Sequence, residues 1–268
     1  MRLLFMTVYK AITNKIQLEF MHIYIYKTIA NIQVLLLLSI SLVVNGCGCS
    51  KPTEATSHTL KPSEIVLFLG NSNVGKSTLC NSVFQQAVFN SDVSMSFGTT
   101  LYNQEHEYQN ALYIDTPGLS YKQTREKAAK EIEEALKKNS NYKIIFVVTL
   151  KSGRLRPTDI ATIDTICDVI QVPFEYGLIF NKVTRGIIKA INQKGLNYYL
   201  TSFKKKPFAT VILKMDYEIE DNPNFYFKPD SENRKNLLEF ISKLKSVQIH
   251  ESDIKPLDIT KYEQRLYE

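Results

Sequence analysis

The stretch Gly70–Thr78, GNSNVGKST, decides the fold of this chain. It follows Glu64–Leu69 (EIVLFL), a short apolar run with the pattern of a buried parallel strand. A helical stretch is expected after it, from Lys76 to about Asn90. A glycine-containing loop between a strand and a helix gathers backbone N–H groups at the helix N-terminus, where they bind phosphate. The spacing Gly-x4-Gly-Lys-Ser satisfies this phosphate-loop pattern in full.

Two side chains of the loop also have the chemistry that nucleotide binding needs. Lys76 can bridge the β- and γ-phosphate oxygens of a nucleotide, and Ser77 can offer its hydroxyl to Mg²⁺. The strand before the loop and the helix after it argue against a chance match. The candidate nucleotide-binding residues of this loop are Gly70, Asn71, Ser72, Asn73, Val74, Gly75, Lys76, Ser77 and Thr78.

A second motif, Asp115-Thr116-Pro117-Gly118, lies about 40 residues downstream, after the short strand Ala111–Ile114. An Asp at this place in P-loop proteins holds Mg²⁺, and the Gly N–H can contact the γ-phosphate. The same residue types also favour plain turns, so the motif alone is a weak signal. At this distance from a phosphate loop it predicts a nucleotide-sensing switch, with Asp115 on the metal and Gly118 at the phosphate.

These motifs, with Gly98-Thr99-Thr100 and Asn181-Lys182, resemble the G1 to G4 motifs of the translation-factor-related GTPases. Within that class they look like the group of Era, EngA, MnmE and the septins, and like the GIMAP-type immunity-associated GTPases. The resemblance covers about residues 62–248 and implies GTP or GDP as ligand and Mg²⁺ as cofactor. It implies Lys76, Thr99, Thr100 and Gly118 as catalytic residues, Ser77, Asp115 and Thr99 or Thr100 as magnesium ligands, and Asn181 and Lys182 as further nucleotide contacts.

The fourth motif departs from the family. Its usual form ends in an Asp whose carboxylate accepts hydrogen bonds from guanine, but here the run is Asn181-Lys182-Val183-Thr184. Since Thr184 accepts only weakly, guanine selectivity is expected to be reduced, and an adenine nucleotide stays open as the ligand. The alternative is that Asn181-Lys182 only caps a strand. No clear fifth motif follows the expected strand Phe208–Met215.

The residue that follows Gly118 differs from the one found in the small GTPases. Leu119 stands where those proteins carry a water-orienting Gln. By resemblance to potassium-activated relatives, Asn73 would help to hold a K⁺ between the phosphates, in place of an arginine finger. The alternative is that Asn73 satisfies the backbone of the loop. Because Leu119 cannot orient the attacking water, slow hydrolysis is expected.

The rest of the chain alternates strand and helix patterns, which predicts a doubly wound, mostly parallel α/β sheet. The G domain is expected to span residues 62–248, and residues 249–268 are expected to form a loose charged tail. The remaining expected strands are Leu101–Tyr108, Tyr142–Leu150 and Tyr176–Phe180, and the remaining helices are Lys122–Lys138, one that begins at Pro157, and Glu232–Leu244.

An N-terminal hydrophobic leader precedes this domain. The apolar run Ile32–Val44 is short for a membrane span and right for a signal-peptide core. Val44-Asn45-Gly46-Cys47 resembles the bacterial lipoprotein box, so Cys47 is a lipidation candidate. Residues 1–47 then form the signal or an uncleaved anchor and 48–61 a flexible tether, with translation starting at Met1 or Met21. Basic residues before the run favour a G domain carried outside, where GTP is scarce.

Composition limits the other partners. The net charge of +6 comes from Lys and Arg residues that are spread out, so no nucleic-acid partner is expected. The four cysteines lack zinc spacing. The leading hypothesis is a membrane-associated, slow Mg²⁺-dependent GTPase that acts as a molecular switch. The alternatives are a nucleotide-dependent scaffold that forms G-domain homo-oligomers, as the resemblance suggests, and an ATP-using P-loop enzyme.

Overall fold

The computed structural model describes residues 62–90, 100–217 and 226–267. The chain divides into two units, residues 1–58 and 59–268, and every described residue lies in the second. The predicted leader, the tether, Cys47 and Thr99 lie outside the described residues, so the predictions about them stay predictions. Within the described ranges, no helix has the length and apolar character that a membrane crossing needs.

The described elements alternate in the expected way. The strands are β1 (Glu64–Leu69), β2 (Gln104–Tyr108), β3 (Ala111–Asp115), β4 (Ser140–Thr149), β5 (Tyr176–Val183), β6 (Ala209–Lys214) and β7 (Val247–Ile249). The helices are α1 (Lys76–Phe84), α2 (Arg125–Leu136), α3 (Pro157–Val169), α4 (Arg185–Lys194), α5 (Asn197–Leu200), α6 (Glu232–Lys243) and α7 (Ile259–Arg265). Short 3₁₀ turns cover Lys122–Thr124 and Glu251–Asp253.

The described strands form one sheet in the order β2-β3-β1-β4-β5-β6, with β7 beside the start of β4. Strands β3, β1, β4, β5 and β6 run parallel, and β2 and β7 are antiparallel to their neighbours. The predicted mostly parallel α/β sheet is confirmed. Because β1 lies between β3 and β4, the segments that follow these three strands emerge at one edge of the sheet, where open α/β sheets bind ligands.

Strand β1 is buried on both faces. Its residues alternate between two apolar cores: Ile65, Leu67 and Leu69 face one, and Val66 and Phe68 face the other. This alternation follows from the two-residue period of a strand. The first core is completed by apolar residues of α2, α3 and α7, and the second by residues of α1 and α6. Both faces of a parallel sheet are therefore covered by helices, which holds the loop after β1 in place.

Helix α1 ends earlier than the sequence pattern suggests. The helix stops at Phe84, and Gln85 adopts a left-handed φ of 57°. The buried Asn81 side chain then accepts from the backbone N–H groups of Val88 and Phe89 at 3.1 and 2.8 Å. These hydrogen bonds turn the chain back on the helix, so the expected extension to about Asn90 is wrong.

The prediction of a loose tail over residues 249–268 is also wrong for its described part, residues 249–267. Tyr262 of α7 is fully buried, and Ile254 and Leu257 are nearly so. The guanidinium of Arg265 forms a 2.5 Å ion pair with Asp168 of α3. A few apolar residues spaced among charges are enough to make one packed face, so the compact domain continues beyond residue 248.

Helix α7 contacts Arg125, which in turn holds the segment that follows Asp115–Gly118. We call Asp115–Ser120 the switch segment. The Arg125 guanidinium is buried and donates to the carbonyls of Leu119 and Ser120 at 2.8 and 3.5 Å. It also pairs with Glu263 of α7 at 2.5 Å and lies 5.0 Å from the ring centroid of Tyr262. The chain after DTPG is thus fixed to the C-terminal helix.

Candidate functional site

The phosphate loop lies between β1 and α1, and its backbone needs glycine at both ends. Gly70 has φ 140° and Gly75 has φ 95°, a region that favours glycine. A Cβ on Gly70 would lie 2.4 Å from the carbonyl oxygen of Val147, and one on Gly75 would lie 2.6 Å from Nδ2 of Asn181. The loop is therefore packed closely between the ends of β4 and β5.

Lys76 extends back across the loop that precedes it. Its Nζ donates to the carbonyl oxygens of Gly70 and Asn71, both at 3.0 Å, and the residue is 5% exposed. Burial lowers the pKa of this ammonium, and the charge of Asp115 opposes that shift. The one cation that the motif predicts at the phosphates is therefore held beside the loop backbone.

Asp115, Ser77 and Thr100 form a cluster of oxygen atoms. The Ser77 hydroxyl donates to Oδ2 of Asp115 at 2.5 Å, and the Thr100 hydroxyl donates to the same atom at 3.4 Å. Asp115 is fully buried, and its Oδ1 has no hydrogen-bond partner among the described residues. A buried carboxylate oxygen without a partner, next to two hydroxyls, fits a hard divalent cation such as Mg²⁺.

Gln104 of β2 belongs to the same cluster and was missed by sequence reasoning. Its Nε2 donates to Oδ2 of Asp115 at 3.4 Å and to the Thr100 hydroxyl at 3.4 Å. The sequence pattern places Gln104 only within the expected strand Leu101–Tyr108, and the pairing of Gln104 with Asp115 across β2 and β3 brings it to the site. A register of this kind cannot be read from a single strand.

Magnesium binding at this cluster is expected to depend on pH. Burial raises the pKa of Asp115, while Lys76 and the hydrogen bonds from Ser77, Thr100 and Gln104 oppose the shift. The carboxyl group therefore keeps its proton to a higher pH than usual, and a protonated carboxyl is a poor metal ligand. The Mg²⁺-dependent gain in GTP affinity should thus fall as the pH drops below this raised pKa, by up to about tenfold per pH unit.

Nucleotide titrations between pH 7.5 and 5 with Mg²⁺ or with a chelator measure this effect. In Asp115→Asn, which has no proton to lose, the magnesium gain should be small and flat across the same range. A magnesium gain of the same size and the same pH dependence in the wild type and in Asp115→Asn would show that Asp115 does not hold the metal.

Gly118 approaches the phosphate loop more closely than any side chain would allow. A Cβ at this position would lie 2.3 Å from the backbone nitrogen of Ser72 and 2.7 Å from the carbonyl carbon of Asn71. The switch backbone is also tied to β1, because the Thr116 hydroxyl donates to the carbonyl of Phe68 at 3.0 Å. The switch and the loop are therefore in direct contact, as the paired motifs predict.

The Asn71 side chain lies on the side of the loop that faces α3. It is fully buried and points to α3, where Nδ2 donates to Asp159 at 2.7 Å and Oδ1 accepts from Thr162 at 3.1 Å. Asp159 is held in turn by Arg156. The Asn71 side chain thus anchors the loop to α3, and only its backbone is left for a ligand.

Asn73, Val74 and Thr78 complete the described geometry of the loop. Asn73 has φ 65°, a left-handed conformation that Asn tolerates well, and its Nδ2 lies 3.4 Å from the Tyr121 hydroxyl. This supports the alternative that Asn73 serves the loop backbone. Val74 is fully buried, and Thr78 lies in the first turn of α1, where its carbonyl accepts from the Ser82 hydroxyl at 2.7 Å.

Asn181 and Lys182 reach the loop from β5. The Asn181 side chain is buried and donates to the carbonyl oxygen of Val74 at 2.9 Å. The Lys182 ammonium donates to the carbonyl oxygen of Asn73 at 3.3 Å, and its stem lies 3.4 Å from the position of a Cβ on Gly75. Both side chains therefore join the end of β5 to the phosphate loop, which is more than a strand cap would do.

The fold and this loop define a P-loop nucleotide-binding domain, with a strand, a glycine loop and a helix at the edge of a parallel sheet. Residues 65–182 match the family described as "50S ribosome-binding GTPase". This part of the chain is therefore similar to a P-loop GTPase G domain.

The curated relatives agree with this class. The chain is 39% identical over 88 residues to the probable GTP-binding protein EngB of Mycoplasmopsis pulmonis, a match that covers 31% of this chain and 46% of that protein. It is 26% identical over 181 residues to the GTPase Era of Clostridium tetani, covering 61% of this chain and 59% of that protein. The chain thus spans about half the length of the curated relatives it matches.

Among solved structures, Toc33 from Arabidopsis thaliana, crystallised with Mg²⁺ and GMPPNP, is 17% identical with a TM-score of 0.48. That match covers 70% of this chain and 88% of the Toc33 chain.

Proposed function

We propose that the protein binds GTP and GDP together with Mg²⁺ and hydrolyses GTP slowly, as a molecular switch. The observation that carries this proposal is the cluster of Lys76, Ser77 and Asp115 below the glycine loop, with one buried Asp115 oxygen lacking a hydrogen-bond partner in the described structure. The family match and the relatives named for GTP support the choice of nucleotide.

Each residue has a separate task in this proposal. The loop N–H groups and Lys76 hold the β- and γ-phosphates, and Ser77, Asp115 and Thr99 or Thr100 hold Mg²⁺. The ion, when bound, neutralises charge on the phosphates. In this proposal the Gly118 N–H donates to the γ-phosphate. Leu119 is fully buried and apolar, so it cannot orient the attacking water, which is why turnover is expected to be slow.

A titration of the full-length protein with a fluorescent GTP analogue in Mg²⁺ tests binding, and phosphate release under the same conditions tests hydrolysis. Saturable binding followed by slow phosphate release is expected. A protein that is folded by circular dichroism and binds no nucleotide would contradict the proposal.

Guanine selectivity should increase in Thr184→Asp. Thr184 is the N-cap of α4 and makes no capping hydrogen bond with its side chain. A carboxylate there would accept from the two guanine N–H groups, and hydrogen bonds to a charged group contribute about 1.5–3 kcal/mol. We therefore expect the GTP-to-ATP affinity ratio to rise by about 10- to 100-fold, measured by competition.

Thr184→Asn is the matched control for that substitution, since the Asn side chain has nearly the same shape as Asp but no charge. Thr184→Asn should change the GTP-to-ATP affinity ratio much less than Thr184→Asp does. Wild-type protein that prefers ATP would favour the third hypothesis, an ATP-using P-loop enzyme.

We further propose a K⁺ site at Asn73, although the left-handed φ of this residue supplies a sufficient reason for an Asn. Turnover in KCl should then exceed turnover in NaCl, and Asn73→Ser should remove the difference. Equal turnover rates in KCl and NaCl would contradict the K⁺ site, and Asn73 would then serve only the backbone conformation of the loop.

The second candidate function is a nucleotide-dependent scaffold that assembles through its G domain with negligible hydrolysis. The buried Leu119 favours it, because no water-orienting side chain stands at that position. Size-exclusion chromatography with GDP and with a non-hydrolysable GTP analogue separates the two functions. A change in oligomeric state without measurable phosphate release supports the scaffold.

We also propose that the leader, residues 1–47, attaches the protein to a membrane, by lipidation of Cys47 or as an uncleaved anchor. The support is the sequence Val44-Asn45-Gly46-Cys47 after an apolar run. Mass spectrometry of the mature N-terminus tests lipidation. Protease treatment of intact cells then tells on which side of the membrane the G domain lies, and hence which compartment provides GTP.

A further inference from the structure

A cavity lies away from the phosphate loop, where the chain after β4 meets α4 and α5. Its volume is about 590 Å³, a size that holds one small organic molecule. The wall is formed by the turn Ser152–Leu155, by Ile160 of α3, by Ala190 and Lys194 of α4, and by Tyr198, Tyr199, Thr201 and Ser202. None of the lining residues belongs to the phosphate loop or to DTPG.

The wall of this cavity carries cations and hydroxyls but no carboxylate. Arg154 and Lys194 supply the positive charge, and Ser152, Thr201 and Ser202 supply hydroxyl groups. None of the ion pairs in the described ranges includes Arg154 or Lys194. The chemistry of the wall therefore suits an oxyanion, since guanidinium and ammonium groups pair with phosphate.

The charge of the surrounding sequence strengthens this preference. Residues 176–215 contain no Asp or Glu and eight cationic residues, which exceeds the net charge of +6 of the whole chain. Lys214 pairs with Glu232 and Lys182 lies at the phosphate loop, so six of these cations are left to attract ligands of the opposite charge. The cationic residues are Lys182, Arg185, Lys189, Lys194, Lys204, Lys205, Lys206 and Lys214.

The wall that presents Arg154 is fixed by hydrogen bonds. Lys151 and Arg154 exchange two backbone hydrogen bonds of 3.0 Å, and both central residues of the turn are left-handed, with φ 50° at Ser152 and 74° at Gly153. The hydroxyl of the buried Tyr199 donates to the Gly153 carbonyl at 3.1 Å. A ligand would therefore meet a wall whose backbone is already ordered, which lowers the entropic cost of binding.

We propose that this cavity binds a small organic phosphate. The phosphate group pairs with Arg154 and Lys194. The organic part contacts Leu155, Ile160 and Ala190, which supply the apolar portion of the wall. The exposed ring of Tyr198, 5.1 Å from the Lys194 ammonium, covers one side. This site is separate from the proposed nucleotide site and does not depend on it.

Full-length protein with ¹³C-labelled tyrosine rings, saturated with GDP and Mg²⁺, tests the proposal by titration with phenyl phosphate. Saturable shifts of Tyr198 and Tyr199 are expected, and phenol, which lacks the charge, should bind at least about tenfold more weakly. Arg154→Gln and Lys194→Gln should each weaken phenyl phosphate binding by about tenfold.

Two further variants separate a built site from a positive surface. Lys206→Gln removes the same charge from the same segment but does not line the cavity, so its affinity should stay at the wild-type value. Ala190→Leu keeps the charge and narrows the cavity, so it should weaken binding. Shifts that never saturate, or an effect of Lys206→Gln as large as that of Lys194→Gln, would overturn the proposal.

Two additional experiments distinguish the cavity from the phosphate loop and identify the source of the phosphate group. Lys76→Ala, in the phosphate loop, should leave phenyl phosphate binding intact even if nucleotide binding is lost. Sedimentation with phosphatidylcholine vesicles, with and without phosphatidic acid, then compares the wild type with Arg154→Gln. Arg154-dependent binding to the acidic vesicles assigns a lipid headgroup as the ligand, and equal sedimentation of the two proteins assigns a soluble ester.

Discussion

Lys76→Ala is expected to lower the affinity for GTP and GDP by at least about a hundredfold. The Lys76 ammonium is the cation that the phosphate loop holds beside its own backbone, 3.0 Å from two carbonyl oxygens. A bound polyphosphate would give it charged acceptors in place of these neutral ones, and hydrogen bonds between charged groups are roughly twice as strong. Equilibrium titration with a fluorescent nucleotide in Mg²⁺ measures the loss.

Lys143→Ala provides the matched control for this loss. Lys143 is also largely buried, but its ammonium pairs with Glu64 at 2.9 Å, at the beginning of β1 and away from the loop. Its removal should leave nucleotide affinity unchanged. If both variants lose affinity equally, the cause is general destabilisation. Wild-type affinity in Lys76→Ala would contradict the assignment of the loop to phosphate binding.

The part of the site that the sequence predicts best is the part built from contiguous residues. The strand, the loop and the start of α1 depend on local apolar spacing and on glycines, and each lies where the pattern places it. DTPG follows β3, and the parallel pairing of β3 with β1 brings Phe68 level with Asp115. A motif at the end of a neighbouring strand therefore reaches the loop without further information.

Side-chain partners across long sequence separations could not be predicted. Asn71 looks like one more polar residue of a phosphate loop, yet its partner Asp159 lies 88 positions away. Arg125 and Glu263, which join the switch segment to α7, are 138 positions apart. The many charges of residues 249–267 suggest a solvated tail. Only a few apolar residues pack this segment, and their partners belong to other elements, so the packing could not be predicted.

Gly118→Ala is expected to disturb both the stability of the domain and the affinity for nucleotide. The added methyl group would lie 2.3 Å from the nitrogen of Ser72 and 2.8 Å from the Cα of Asn71. Both atoms belong to the loop backbone, so no flexible side chain can move aside, and the Asn71 side chain is held by Asp159. Crowding of this kind costs about 1–3 kcal/mol, which corresponds to a fall in Tm of several degrees.

The same crowding displaces the loop N–H groups that would bind the phosphates, so we expect GTP affinity to fall by about 10- to 100-fold. Gly186→Ala is the control, because a Cβ there meets nothing within 4 Å and Gly186 lies in the first turn of α4. That substitution should raise Tm slightly, since Ala favours a helix over Gly by up to about 1 kcal/mol. A Gly118→Ala protein that loses stability but keeps wild-type affinity would show that the contact between switch and loop supports only the fold.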